Sequence, residues 1–134
     1  MKYTKIIAVI LLCLFFCGCS LSADESAKLN DLDFTVLSEE VLPQELKALI
    51  EEKKTSPFEM TYADENFLYI CVGYGQQQTG GYSIAVNELY VTENAICVDT
   101  CLLGPSPEEA AVETPSYPYI VIKTEYLDKT VEFQ

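Results

Sequence analysis

Residues 58–72 read Phe58-Glu59-Met60-Thr61-Tyr62-Ala63-Asp64-Glu65-Asn66-Phe67-Leu68-Tyr69-Ile70-Cys71-Val72. In the first half, Phe58, Met60 and Tyr62 alternate with other residues, the period of a strand with one buried face. Asp64-Glu65-Asn66 then supplies turn chemistry, because short polar side chains bond readily to nearby backbone. The second half, Phe67 to Val72, is an unbroken apolar run of strand length. Two strands joined by a tight polar turn set the class of the fold, and the rest of the chain is read outward from them.

Downstream the pattern continues. Gly73 to Gly81 is a loop with four glycines and three consecutive glutamines, Gln76-Gln77-Gln78. Tyr82 to Tyr90 reads as the next strand, with Ile84 and Val86 on one side. Glu93-Asn94 turns the chain into a strand at Ala95 to Leu102. Gly104 to Ser116 is a long loop with three prolines and three glutamates. Tyr119 to Glu125 and Thr130 to Phe133 read as the last two strands, with Asp128-Lys129 as the turn between them. Upstream, Leu42, Leu46, Leu49 and Ile50 recur at the spacing of one helix face, which predicts a helix from Pro43 to Lys54. Pro43 suits the first helical position, where its missing N–H costs nothing, and Glu45 and Lys53-Lys54 match the dipole at the two ends. Leu32, Phe34 and Val36 alternate as a further strand. Seven short strands and one N-terminal helix predict a mainly β fold. The expected form is a small antiparallel sandwich or partly open barrel of about six to seven strands, with the helix over one open side.

The start of the chain has a different character. Lys2 and Lys5 precede an apolar run from Ile6 to Phe16. Eleven residues are too few to span a bilayer core, which takes roughly 20, but they fit the hydrophobic region of a secretory signal. Phe16-Cys17-Gly18-Cys19-Ser20 then looks like a lipobox, with Gly18 as the small residue before the modified cysteine. Phe16 departs from the leucine usual at its position. The expectation is a signal peptide over residues 1–18, lipidation at Cys19, a flexible tether over 19–30 and one β-rich domain over 31–134. The protein would then sit outside the cytoplasm, held at the membrane by its lipid.

Charge and composition exclude several functions. The chain carries 8 Lys+Arg and 21 Asp+Glu. Without Lys2 and Lys5 the remainder has six lysines against the same 21 acids, a net charge of −15. Nucleic-acid binding needs clustered cations to neutralise phosphate, and none are present. The sequence has no histidine. That removes Ser-His-Asp and Cys-His catalysis and the usual zinc sites, so neither an enzyme, a resident metal nor a cofactor is expected. The acidic residues Glu39, Glu40, Glu51, Glu52, Asp64, Glu65, Glu108, Glu109 and Glu113 read as solvated surface, since a catalytic carboxylate pair must be sheltered and differently tuned. Cys71, Cys97 and Cys101 are odd in number. Cys97 and Cys101 lie four residues apart in one strand, about 13 Å, beyond the 7 Å or so that a disulfide spans. Either Cys71 bridges one of them or all three are reduced, packing as small apolar groups.

Two segments stand out as contact elements. Thr79-Gly80-Gly81-Tyr82 places two glycines side by side, leaving main-chain amides bare to an approaching chain. Tyr117-Pro118-Tyr119 sets two aromatic rings around a proline, either plugging one end of the fold or forming an exposed patch.

These two motifs, in this order and after a helix and a strand, resemble the carboxy-terminal domain family of the protease complex subunit PrcB. The likeness would cover roughly residues 40–134, with Gln76-Gln77-Gln78 standing where relatives more often carry a charged residue and a proline. The resemblance implies a non-enzymatic accessory lipoprotein that associates with a cell-surface protease. A weaker likeness to chagasin-type protease inhibitors rests on the Thr-Gly loop alone. Three readings follow: a partner-binding subunit, a protease inhibitor acting through Thr79 to Tyr82, and an envelope protein that holds a small ligand in its barrel.

Overall fold

Eight strands form two four-stranded sheets in a computed structural model that describes residues 27–134. The signal segment, Cys19 and the tether as far as residue 26 lie outside the described residues. The strands are β1 (Asn30–Asp31), β2 (Thr35–Val36), β3 (Pro57–Ala63), β4 (Phe67–Tyr74), β5 (Ser83–Val91), β6 (Ala95–Leu103), β7 (Tyr119–Glu125) and β8 (Thr130–Phe133). The main helix is α1 (Gln44–Lys53), and a single turn of helix, α2 (Pro107–Ala110), interrupts the long loop. One sheet has the order β1-β5-β6-β8 and the other β2-β7-β4-β3. The fold is therefore the expected sandwich and not a closed barrel.

Strand β4 shows why the sheets stack. Leu68, Ile70 and Val72 point into the space between the sheets, where they meet Leu89, Val91, Ile96, Val98, Ile120 and Ile122. Tyr69 and Cys71 point the other way and pack beneath Leu46 and Ile50 of α1. A strand covered on both faces needs apolar residues at every position, which accounts for the unbroken run at 67–72. β3 is covered on one face only: Phe58, Met60 and Tyr62 join the helix-side cluster while Glu59, Thr61 and Ala63 are exposed. The turn between β3 and β4 is built as its sequence predicts. Asp64 accepts from the backbone N–H of Asn66 at 2.9 Å and of Phe67 at 2.7 Å, which holds its carboxyl below the ordinary carboxylate range.

β5 would lose its amphipathic pattern without a correction. Ile84 and Val86 face the core, and so do Leu89 and Val91, which have the opposite parity. The register with β6 shifts between Val86 and Glu88, so Asn87 is an extra residue, a β-bulge. The bulge lets both halves of the strand bury their apolar residues.

The structure departs from the sequence reading in four places. Leu32, Phe34 and Val36 do not form one strand. The chain changes sheets there, with β1 pairing to β5 and β2 to β7. The Thr124 hydroxyl donates to the Asp33 carbonyl at 2.9 Å across that passage. Only Leu32 of the three is buried. Leu49 is not wholly on the buried helix face; Leu46 and Ile50 carry it. Gly73 belongs to β4, because the Phe58 ring fills the space where its Cβ would stand. Finally, β8 does not return to β7. It crosses to the other sheet and runs parallel to β6, pairing Ala95 with Thr130 and Val98 with Phe133.

The three cysteines are all free thiols. Cys71 faces α1, whereas Cys97 alternates with the core residues Ile96 and Val98 and so faces away from the sandwich on the opposite side. Both sheets and the core between them separate these thiols, so a bridge is out of reach. Burial pushes the Cys71 thiol from its ordinary 9.0 up to about 12. Because the folded value is raised, Cys71 keeps its full contribution to stability below about pH 9 and loses it progressively towards pH 12. Urea unfolding across that window should show stability falling more steeply for the wild type than for Cys71→Val, by up to about 1.4 kcal/mol per pH unit, one proton's worth. Parallel slopes for the two proteins would show that this thiol ionises in place.

Candidate functional site

The loop from Gly75 to Tyr82 connects β4 to β5 across one end of the sandwich, and the loop from Gly104 to Pro118 returns from β6 to β7 at the same end. Gly75 makes the first turn with a positive φ of 75° and packs against Pro57, whose Cδ would stand 2.8 Å from an added Cβ. From there the two loops are stitched together. Gln77 and Ser116 exchange both backbone hydrogen bonds, at 2.8 and 3.1 Å. The Ser116 hydroxyl donates to the Thr79 carbonyl at 2.6 Å, and the Tyr74 N–H donates to the Pro118 carbonyl at 3.0 Å. The motifs around Thr79 and Tyr117, far apart in sequence, thus form one surface.

Within that surface the residues differ in what they offer. Thr79 is half-buried, with its hydroxyl donating to the Gly80 carbonyl at 3.2 Å. Gly80 has open space on its side-chain side, with nothing within 4 Å of where a Cβ would be. Gly81 is different: its φ is 82°, and an added Cβ would overlap the Glu109 carboxylate and come within 2.8 Å of Pro105 Cβ. Glu109 is held there by α2, where Ser106 caps the turn by accepting from the Glu109 N–H at 3.3 Å and donates its own hydroxyl to Glu109 Oε1 at 3.0 Å. Both glycines reach the surface, Gly81 exposed and Gly80 half-buried, but only at Gly80 is the side-chain side free of neighbours. Tyr82 and Tyr117 are half-buried, and the Lys54 ammonium lies 5.6 Å from the centre of the Tyr117 ring. Tyr119 instead packs into the helix-side cluster, and burial together with the nearby Glu39 and Glu51 pushes its hydroxyl upward in pKa. Of the two readings of the Tyr-Pro-Tyr segment, packing describes Tyr119 and a surface position describes Tyr117. Exposed Leu103 and Val112 add apolar area at this end.

Sequence reasoning named Gln77 only as part of the glutamine run and Glu109 only as solvated surface, whereas Gln77 and Ser116 join the two loops and Glu109 lies against Gly81. Nothing in their local sequence marks them, since their partners lie in the opposite loop. Among the described residues no group of three or more histidine, cysteine or acidic side chains is placed to hold a metal ion.

The region that carries both loops, from β4 to β7, also carries a recognisable pattern. Residues 68–125 match the PrcB C-terminal family. The resemblance read from the two tyrosine-bearing motifs is borne out over this stretch, which is narrower than the 40–134 expected. The PrcB C-terminal match begins inside β4 and ends with β7, so it takes in the stitched loops and leaves out α1 and β8. No curated protein and no solved structure matches the chain.

The contrast between the adjacent glycines gives a direct test. Gly80→Ala should leave urea stability within about 0.5 kcal/mol of the wild type, because the space is open and φ is not positive. Gly81→Ala should cost about 1–3 kcal/mol, from the left-handed backbone and the displaced Glu109. Equal losses at the two positions would contradict this account of the loop.

Proposed function

We propose that the protein is an extracytoplasmic lipoprotein, anchored through Cys19, whose β-domain binds a protein partner as a non-enzymatic accessory subunit of a cell-surface protease complex. The observation that carries this reading is the pairing of Gln77 with Ser116, which unites the Thr79-Gly80-Gly81-Tyr82 loop and the Tyr117-Pro118-Tyr119 segment into one contact patch. Both motifs fall within the match to the PrcB C-terminal family, whose name refers to a protease complex subunit.

The chemistry suits a protein partner. The side-chain side of Gly80 is open, so an approaching main chain can come close to the loop there. Tyr82 and Tyr117 flank it with rigid amphipathic rings, the side chains most often found as anchors at protein interfaces. The loop is already held by Ser116, through its hydroxyl on Thr79 and its backbone bonds to Gln77, so little conformational entropy is lost on contact. The strongly acidic surface disfavours approach to anionic lipid, which leaves attachment to the lipid on Cys19.

Two measurements test this. Crosslinking from intact cells with a tagged chain that retains Cys19 should capture a secreted or surface protease at near-stoichiometric yield. Gly80→Val, which blocks the open glycine without straining the fold, should reduce that capture at least tenfold. Undiminished capture would remove the loop from the interface. Separately, labelled palmitate should enter the wild type and Cys17→Ser but not Cys19→Ser, and only the last should leave the membrane fraction. Label retained by Cys19→Ser would place the anchor elsewhere.

A further inference from the structure

β6 is a nine-residue strand, but its neighbour β8 has only four residues and covers Ala95 to Val98. The last rung is the Gln134 N–H donating to the Val98 carbonyl at 2.9 Å. Backbone groups of alternate residues point to the same side of a strand, so the next groups aimed outward are those of Thr100 and Leu102. Among the described residues no strand pairs with this edge. Burial records the same break. Ala95 to Val98 are buried, while Asp99 to Leu102 are only half-buried. A cleft of about 660 Å³ lies beside the open stretch, between the sheets, lined among others by Pro57, Glu59, Tyr74, Thr100 and Gln134. The Tyr74 and Thr100 hydroxyls, both in its lining, are hydrogen-bonded to each other at 2.7 Å and so tie the two sheets together beside it.

We propose that the open half of β6, Asp99–Leu103, is a docking edge for an extended, lysine- or arginine-bearing segment of a partner protein, which adds to the sheet in line with β8. An unpaired edge offers donors and acceptors at strand spacing, which is the requirement for strand addition. Charge selects the occupant. Asp99 and Glu132 alternate with core residues on the outer face of the same edge, where their carboxylates call for cations. The cleft lining holds no lysine. A segment with cations on its outer side meets these carboxylates, and small apolar residues on its inner side lie against Pro57, Phe58 and Val72, which also line the cleft. A second copy of this chain would set these carboxylates against their own duplicates, which charge disfavours. The proposal does not depend on the loop patch: Gly80→Val should leave it unchanged.

The test uses the full chain in detergent micelles and the synthetic peptide Lys-Val-Lys-Val-Lys-Val-Lys. On adding the peptide, hydrogen exchange at the Thr100 and Leu102 amides should slow at least tenfold. A peptide of the same composition in two blocks, Lys-Lys-Lys-Lys-Val-Val-Val, should not do this, because it lacks strand alternation. Leu102→Pro removes one outward N–H without breaking a bond to β5, a position where proline is tolerated. It should bind the alternating peptide at least tenfold more weakly while Leu102→Ala binds normally. Absence of amide protection in the wild type overturns the proposal whether or not the proline variant folds. So does equal protection by the blocked peptide, or a dimer of the wild type that Leu102→Pro dissociates, which would assign the edge to a second copy.

Discussion

Everything in this domain is organised by the double burial of β4. One parity of the strand builds the core between the sheets and the other seats α1. Fully burying a large aliphatic side chain is worth about 1.5–3 kcal/mol, so the strand contributes to both layers at once. β7 beside it does the same: Ile120 and Ile122 face the other sheet, and Val121 faces the helix. The flanking strands can be amphipathic because these two are not. A shift of one residue in the β4–β7 pairing would exchange the core set for the helix set, and neither Tyr69 nor Cys71 matches the volume of Ile70.

The hairpin at 58–72 was legible because the signal and its cause are both local. Period-two alternation reports one covered face, a continuous run reports two, and Asp64 folds its own turn. The helix was legible for the same reason, although Pro43 stands at its cap, one residue before the first helical position expected for it. The features that were not legible depend on partners remote in sequence. The parallel placement of β8 follows from which edge of the other sheet is open, and no residue in Thr130–Phe133 encodes that by itself. The split of residues 30–36 between two sheets depends on β5 and β7, although three alternating apolar residues read as one strand. Asn87 lies in a run whose core parity changes from even to odd, and the change is visible in the sequence once Ile84, Val86, Leu89 and Val91 are set side by side.

The candidate site divides in the same way. Both motifs were visible as sequence, and so was the family likeness that residues 68–125 bear out. Their union was not visible, because it rests on backbone bonds between Gln77 and Ser116 that any two residues make. The roles of the two glycines separate only in three dimensions. Gly81 is required by this chain's own Glu109, whereas Gly80 has no structural demand on it within reach. A glycine with no internal reason for its small size is the residue on which an external contact is most economically argued.

The first strand gives the domain two poles. Asn30 pairs with Val91, the last residue of β5, and the loop patch adjoins Ser83, the first residue of the same strand. Nine residues of strand separate them, on the order of 30 Å at about 3.3 Å per residue. On the proposed anchoring, the polypeptide rises from the lipid at one pole and presents its patch at the other. The length of β5 then sets the most that the domain itself can add to the height at which the partner is met, on the order of 30 Å.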